Sequence, residues 1–366
     1  VTIPPALLPP GFRDRLPPAA EAHSALVRLL VDRFAARGYE RVAPPLVEHE
    51  GQLTYWLGRP SGALFRSSDP TTGAGLALRP DITGQVARIA ATRMAEEPRP
   101  LRLAYAGPVF RARAGQLSPA RELTQAGAEL IGTDNEAALA ELIETAAEAL
   151  KAAGVSDLSV DLTTPELVAG LAVSRWPVAD PESLLQALDG KDWGALASAE
   201  HAPYRALLEA AGPADSALPA LARIAPELAD RLAELARRLA GLRITIDPTE
   251  RHGFEYQSWV GFSLFGAVNG EPLRAEIGRG GAYAIRHPDG CAEPAAGISL
   301  YVDPLVDAGL GRASAGRRLF LPWGTAPDVA ARFRAEGWVT ITALDPAEQP
   351  GRATHVWNGT KPVVTG

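Results

Sequence analysis

Sulfur is nearly missing from this chain: its 366 residues include one cysteine, Cys291, and one methionine. A single cysteine excludes an internal disulfide framework and any cysteine-cluster zinc site, and it fits a reducing compartment. Long apolar runs are missing too. No stretch approaches the roughly 18 residues a membrane span needs, and the opening "VTIPPALLPPGFRDRLPP" is too broken by proline for a signal peptide. The expectation is a soluble, cytoplasmic protein with no membrane contact. Positive charge runs short, with 36 Lys and Arg against 43 Asp and Glu and a net charge of −7. Broad nucleic-acid binding depends on Lys and Arg neutralising phosphates, so this balance argues against it. The six histidines (His23, His49, His201, His252, His287 and His355) are scattered, with no pair at a metal-ligand spacing. No Ser or Cys sits in a nucleophile elbow. Neither a metal nor a cofactor is expected.

What is present is the composition of an ordinary globular protein, 46% apolar and 22% charged, long enough for two or three domains. "AEAHSALVRLLVDRFAARG" repeats apolar residues at helical spacing and stops at Gly38. "YERVAPPLVEH" follows as an extended segment, which Pro44 and Pro45 assign to a sheet edge or an interface. "LALRP" reads as a short strand and "DITGQVARIAATRMAEE" as a helix with Asp81 at its N-cap. A strand hairpin comes next, then the amphipathic "NEAALAELIETAAEALKAAG", closed by Gly154. From 163 to 242 the texture is Ala- and Leu-rich and helical only. Strands return in "LRITID", "EYQSWVGFSLFG" and "AAGISLYV". These patterns predict an α+β core over 1–310, built on a mainly antiparallel sheet and carrying a helical insert, followed by a small β-α-β-β unit over 311–366. "GRGGAY" (278–283) lacks the phosphate-loop spacing and its lysine; a bulged or tightly turned strand is the simpler reading.

The order of these segments says more than any one of them. "ERVAPPLVE", "LRPDITGQVAR", "GPVFR" with its return strand "LTQAGAELIG", "HGFEYQ", and finally "GRGGAY" with "PAAGISLYVD" together resemble the class II aminoacyl-tRNA synthetase core, and within it histidyl-tRNA synthetase. The resemblance implies an antiparallel sheet flanked by helices, with "ERVAPPLVE" as the dimer-forming first motif. It implies that Asp81 and Thr83 grip an α-amino group, that Gln125 and Glu129 contact the amino acid, and that Arg111 belongs to the second motif. Tyr256 falls in the histidine-specific segment. The chemistry of these groups is coherent. Carboxylates accept hydrogen bonds from an ammonium, neutral partners hold it in register, a phenol offers a hydroxyl to an imidazole nitrogen, and an arginine binds a carboxylate bidentately. Each residue alone also has an ordinary role: Asp81 as a helix cap, Glu129 on a solvated strand face, Tyr256 in sheet packing.

Several synthetase positions depart from the pattern. The third motif ends in "GLER" or similar in that family; here the stretch is "YVDP", with Pro304 at the nucleotide-clamping arginine. Proline brings neither charge nor a backbone N–H. His252 stands at the catalytic arginine of the histidine-specific segment, Arg113 at the second-motif glutamate, and the loop "AGQLSP" has no aromatic or basic residue to hold adenine. Losing one preorganised charge stabiliser typically costs about 3–4 kcal/mol of transition-state binding, so two or three losses predict no synthetase activity. The tail after Leu310 is short for an anticodon-binding domain. A synthetase-like core with an amino-acid site and a worn nucleotide site resembles the regulatory subunits of ATP phosphoribosyltransferase. That resemblance implies a non-catalytic homodimer within a hetero-oligomer, a short-form catalytic subunit as partner, and histidine as feedback effector in the first step of histidine biosynthesis. A divergent active histidyl-tRNA synthetase and a stand-alone amino-acid-binding module are the alternatives. The sequence leaves open whether histidine occupies the old synthetase pocket or the subunit interface.

Overall fold

The computed structural model describes residues 7–56, 64–113, 119–250, 257–312 and 316–365. The chain divides into two compact units, 1–311 and 312–366. In the first, helix α1 (Ala19–Ala36) buries Ala22, Leu26, Leu30 and Phe34, three or four residues apart on one face. A short edge strand β1 (Glu40–Arg41) follows, then a small sheet of β2 (Val47–His49), β3 (Phe65–Ser68) and β4 (Gly75–Leu78), with α2 (Glu50–Tyr55) between its first two strands. Helix α3 (Thr83–Thr92) leads into the long hairpin β5 (Leu101–Phe110) and β6 (Glu122–Ile131). Helix α4 (Glu136–Ala153) begins at Asn135, whose side chain accepts the Ala138 N–H, and ends at Gly154 in the left-handed conformation.

Strand β7 (Ser156–Thr163) opens onto helices α5 (Leu167–Ser174), α6 (Pro181–Asp189), α7 (Arg205–Glu209), α8 (Ala214–Ala222) and α9 (Pro226–Arg238). Leu184, Leu188, Tyr204 and Leu207 give the first part of this insert a core of its own. The helix-only expectation needs one correction: a two-residue strand, β8 (Gly212–Pro213), pairs with β9 (Arg243–Asp247). Two residues, one of them proline, are too short to leave an alternation in the sequence. The chain then returns through β10 (Gln257–Val268), β11 (Glu271–Pro272), β12 (Gly278–Arg286) and β13 (Ala292–Tyr301) to α10 (Val302–Asp307). "GRGGAY" therefore opens a strand.

The main sheet runs β1-β5-β6-β13-β12-β10-β7-β9-β8, with β11 paired to β10. Among the described residues of this sheet, only β1–β5 and β7–β9 are parallel pairs. Side chains alternate between its two faces. Ala126, Ala128 and Leu130 of β6, Phe262 of β10, and Ile298 and Leu300 of β13 pack on one face with α1 and α4. On the other face Leu101 and Leu103 of β5, Ile131 of β6 and Ile285 of β12 meet Val86 and Ala90 of α3. Between those apolar patches the second face turns polar, and the candidate site lies there.

The second unit contains β14 (Arg318–Leu321), α11 (Pro327–Ala335), β15 (Val339–Thr342), β16 (His355–Trp357) and β17 (Pro362–Val364), in the sheet order β15-β14-β16-β17. It has one strand more than the β-α-β-β pattern expected from sequence. Strand β17 is three residues long and starts at a proline, which an edge position tolerates.

Candidate amino-acid site

The site is built from strand register. Glu129 on β6 lies opposite Gly297 on β13, which lies opposite Gly281 on β12, which lies opposite Gly261 on β10. One carboxylate thus stands beside three positions without side chains. The room they leave is already in use: a Cβ on Gly297 would land on the Glu129 carboxylate, and one on Gly281 or Gly261 would meet the Gln257 amide. A pocket with about 280 Å³ of empty space, counted together with the solvent at its mouth, lies over this row; Thr83, Glu129, Gln257, Arg279, Tyr283 and Ser299 line it with the glycines.

Glu129 is fully buried, against the solvated strand face that its sequence context allows. Tyr105 donates its hydroxyl to Oε1 at 3.0 Å and Tyr283 donates to Oε2 at 2.8 Å. Thr83 is a third hydroxyl partner, and Tyr105 also shares a 2.8 Å hydrogen bond with Ser299. Among the described residues no Lys, Arg or His pairs with this carboxylate. Burial is the main cause that raises its pKa to about 8; the nearby Asp81 charge adds to it, and the hydroxyl donors pull the other way.

Asp81 and Gln125 form the second half of the site. Gln125 donates its amide to Asp81 Oδ2 at 3.3 Å, and its oxygen accepts the Ile82 N–H at 3.2 Å. Asp81 Oδ1 accepts the Thr83 N–H at 2.8 Å. The helix starts two residues after Asp81, with Ile82 at the cap position, so Asp81 braces the turn into α3 without being its N-cap. Arg79 holds this turn from below. It donates to the Pro108 and Pro44 carbonyls at 2.8 and 3.0 Å, and its guanidinium fills the space over Gly107. Gln85 donates to the Pro45 carbonyl at 2.7 Å, so both ends of the Asp81–Thr83 turn are tied to the proline segment.

Of the residues expected from sequence, Asp81, Thr83, Gln125 and Glu129 come together in one buried cluster. Arg111 does not line the pocket. Its N–H donates to the Arg121 carbonyl, and its charge acts on Tyr301. Arg113 is exposed, and Pro304 sits inside α10. Tyr256 and His252 lie outside the described residues, as does most of the loop after Arg113. Sequence reasoning missed Tyr105, Tyr283, Ser299 and the supporting Arg79. They stand as single polar residues in strands of small and apolar ones, or in the case of Arg79 just after a strand, and no local pattern marks them.

The "YVDP" stretch spans the end of β13 and the start of α10. In the comparison of "YVDP" with "GLER", Tyr301 takes the place of the glycine and Asp303 that of the glutamate. Tyr301 is buried opposite Gln125, with Arg279 and Arg111 near enough to moderate its phenol, which burial raises to about 12. Asp303 accepts the Thr124 N–H at 2.7 Å and pairs with Arg15, which ties the N-terminal segment across this end of the sheet. Among the described residues there is no cluster of His, Cys, Asp or Glu arranged for a metal, and no helix long and apolar enough to cross a membrane.

A hairpin and glycine-floored pocket on an antiparallel sheet of this topology define a class II aminoacyl-tRNA synthetase-like protein. The family model for histidyl-tRNA synthetase matches residues 11–305. A crystal structure of an ATP phosphoribosyltransferase regulatory subunit/histidyl-tRNA synthetase from Bacillus halodurans superposes with a TM-score of 0.80 over 97% of this chain and 99% of that one, at 23% identity. Histidyl-tRNA synthetase from Nostoc superposes at 0.74 with 18% identity, covering 95% of this chain and 88% of its own; these two likenesses carry the fold. Sequence narrows the family. The ATP phosphoribosyltransferase regulatory subunit of Paramagnetospirillum magneticum is 44% identical over 360 residues, 94% of this chain and 92% of its own length. That of Rhodospirillum centenum is 41% identical, covering 97% and 95%. The chain belongs to the family of ATP phosphoribosyltransferase regulatory subunits, the histidyl-tRNA synthetase-like branch of the class II fold.

Proposed function

We propose that this chain is the non-catalytic partner of a short-form ATP phosphoribosyltransferase, activating it and carrying histidine feedback inhibition through the Glu129 pocket. The observation that carries the reading is the contrast between two halves of one face. The half around Glu129, Asp81, Thr83 and Gln125 keeps acceptors and hydroxyls suited to a small cationic amino acid. The half that a synthetase would use for its nucleotide holds a buried tyrosine and a proline instead. A ligand of this size acts on a distant catalytic chain by linkage: it binds one arrangement of the complex more tightly and shifts the population towards it, with a coupling of about 1–3 kcal/mol.

In this reading two copies associate around the proline segment, where Leu46 and Val47 are exposed beside Pro44 and Pro45. The same prolines accept hydrogen bonds from Arg79 and Gln85, which gives the pocket a direct mechanical tie to that surface. The deciding experiment is co-purification with the short-form catalytic chain followed by activity assay with and without histidine. The expected result is activity that requires this chain and falls as histidine is added. A chain that catalyses histidine-dependent ATP–pyrophosphate exchange by itself would overturn the reading.

A further inference from the structure

On the pocket reading above, ligand binding depends on the charge of one carboxyl group. Glu129 is completely buried, and its two oxygens are satisfied by the hydroxyls of Tyr105 on β5, Tyr283 on β12 and Thr83 at the start of α3. Among the described residues, the groups facing it from the remaining elements are neutral or of like sign. β13 presents Ser299 and the bare Gly297, β10 presents Gln257, and the turn before α3 presents Asp81. From the opposite side of the sheet Tyr39 feels the Glu129 charge. Among the described residues, the cation that lines the pocket, Arg279 on β12, is bound to Glu276. A buried carboxylate without a cation is costly, and the cheaper state of such a group is the protonated one.

We infer that a cationic ligand entering this pocket displaces the proton of Glu129, so that effector binding is coupled to proton release. The carboxyl O–H bond breaks, the proton passes to a buffer base in solution, and the carboxylate that remains accepts a hydrogen bond from the ligand's N–H group. The hydroxyls of Tyr105, Tyr283 and Thr83 stay in place and serve both states, since an O–H rotor donates to a carboxylate and accepts from a carboxylic acid. The raised pKa of Glu129, about 8, agrees in direction with a proton held at neutral pH in the empty site. The consequence is a feedback site whose affinity tracks pH: the effector competes with a proton, and a more alkaline medium strengthens inhibition.

The test is calorimetric titration of L-histidine into the full chain, in phosphate and in Tris at matched pH. The dependence of the heat on buffer ionisation enthalpy counts the protons released. At pH 7.0 the expected count is close to one per site, falling towards zero above pH 8.5, with Kd tightening by up to about tenfold per pH unit below the Glu129 pKa. In Glu129→Gln the release is lost and the pH dependence flattens; a melting curve on the same sample verifies folding. Wild type and a folded Glu129→Gln that both bind histidine with equal proton counts would overturn the inference and leave the pocket reading intact. No histidine binding to wild type at any pH would overturn the pocket reading, and the inference with it.

Discussion

Gly297 lies directly across the strand pair from Glu129, and the Glu129 carboxylate occupies the volume that a side chain at 297 would need. The smallest substitution therefore acts on the site itself. In Gly297→Ala the methyl group forces the carboxylate off its two tyrosines or pushes β6 and β13 apart. Overpacking of this kind typically costs about 1–3 kcal/mol. The expected outcome is a folded chain, less stable by that amount in urea titrations, whose histidine affinity drops by at least about tenfold, since 1.4 kcal/mol is a factor of ten. Gly281→Ala meets the Val260 carbonyl oxygen as well as the Gln257 amide, so it too strains the β10–β12 pairing, but it leaves the Glu129 carboxylate untouched and should lower histidine affinity less.

The same carboxylate sets a pH dependence of stability in the ligand-free chain. Its pKa is raised on folding, so its contribution is fully present below the ordinary carboxylate range and is lost as pH climbs towards 8. Between about pH 5 and 8 this one group makes the folded state steadily less stable. Glu129→Gln keeps the volume and removes the titration. Thermal melts should show a flatter stability profile over that window and a higher Tm than wild type at pH 8.5, with histidine bound more weakly than by wild type at that pH. Parallel profiles for the two proteins would contradict the assignment.

Much of this was written in the chain, but unevenly. The helix starting after Asn135 and ending at Gly154 was readable because cap, apolar period and stop signal agree. Asp81, Thr83, Gln125 and Glu129 were readable as members of motifs, and they do converge. What the motifs did not convey is burial. Glu129 sits in "TQAGAELIG", where alternation alone gives one face and says nothing of what covers it. Only the pairing of β6 with β13 reveals that its neighbour is a glycine and that two tyrosines, 24 residues before it and 154 after it in sequence, close over its oxygens. Arg111 stands apart from that cluster, though its charge reaches the buried Tyr301. The motif marks it as a ligand-binding arginine, yet the chain leaves β5 just before it and carries it out of the pocket lining.

Removing the hydroxyls one at a time separates their roles. Tyr283→Phe deletes a donor to Glu129, and the carboxyl must meet its ligand with one partner fewer. Tyr105→Phe deletes a donor to Glu129 and also leaves Ser299 without this hydrogen bond. A hydrogen bond to a charged group contributes roughly 1.5–3 kcal/mol. Histidine affinity should therefore fall by about tenfold to a hundredfold in each variant. The loss of stability should be larger for Tyr105→Phe, because that ring is wholly buried and its hydroxyl serves two partners. Calorimetry and urea titration on the pair give the comparison.

Arg79 links the ligand turn to the proline segment, and its replacement should disconnect them. Its guanidinium bridges the Pro44 and Pro108 carbonyls and touches Gln85, a geometry that a planar fork makes and an ammonium does not. Arg79→Lys keeps the charge but loses part of the fork, and Arg79→Ala leaves both carbonyls unmet. Both carbonyls are half-buried, so each one left unpaired costs up to about 1–3 kcal/mol. The Ala variant should be destabilised by several kcal/mol and the Lys variant by less. If the pocket acts on its partner through the proline segment, Arg79→Lys should still bind histidine while histidine inhibits the assembled enzyme less. Unchanged inhibition in a stable Lys variant would exclude this route.

Asp303, at the start of α10, fastens the N-terminal segment to the sheet. It is nearly buried, pairs with Arg15, lies 3.5 Å from Arg13 and accepts the Thr124 N–H. Asp303→Ala leaves an arginine and a backbone donor without their acceptor; breaking a buried pair from one side costs about 3–5 kcal/mol. Asp303→Asn retains an oxygen for Thr124 and loses only the charge, so its cost should be smaller. If the strap acts as a unit, Arg15→Met in the Asp303→Ala background should add little to the first loss. Urea titrations on the double-mutant cycle measure that coupling. Additive losses would mean that Arg15 and Asp303 stabilise the fold independently.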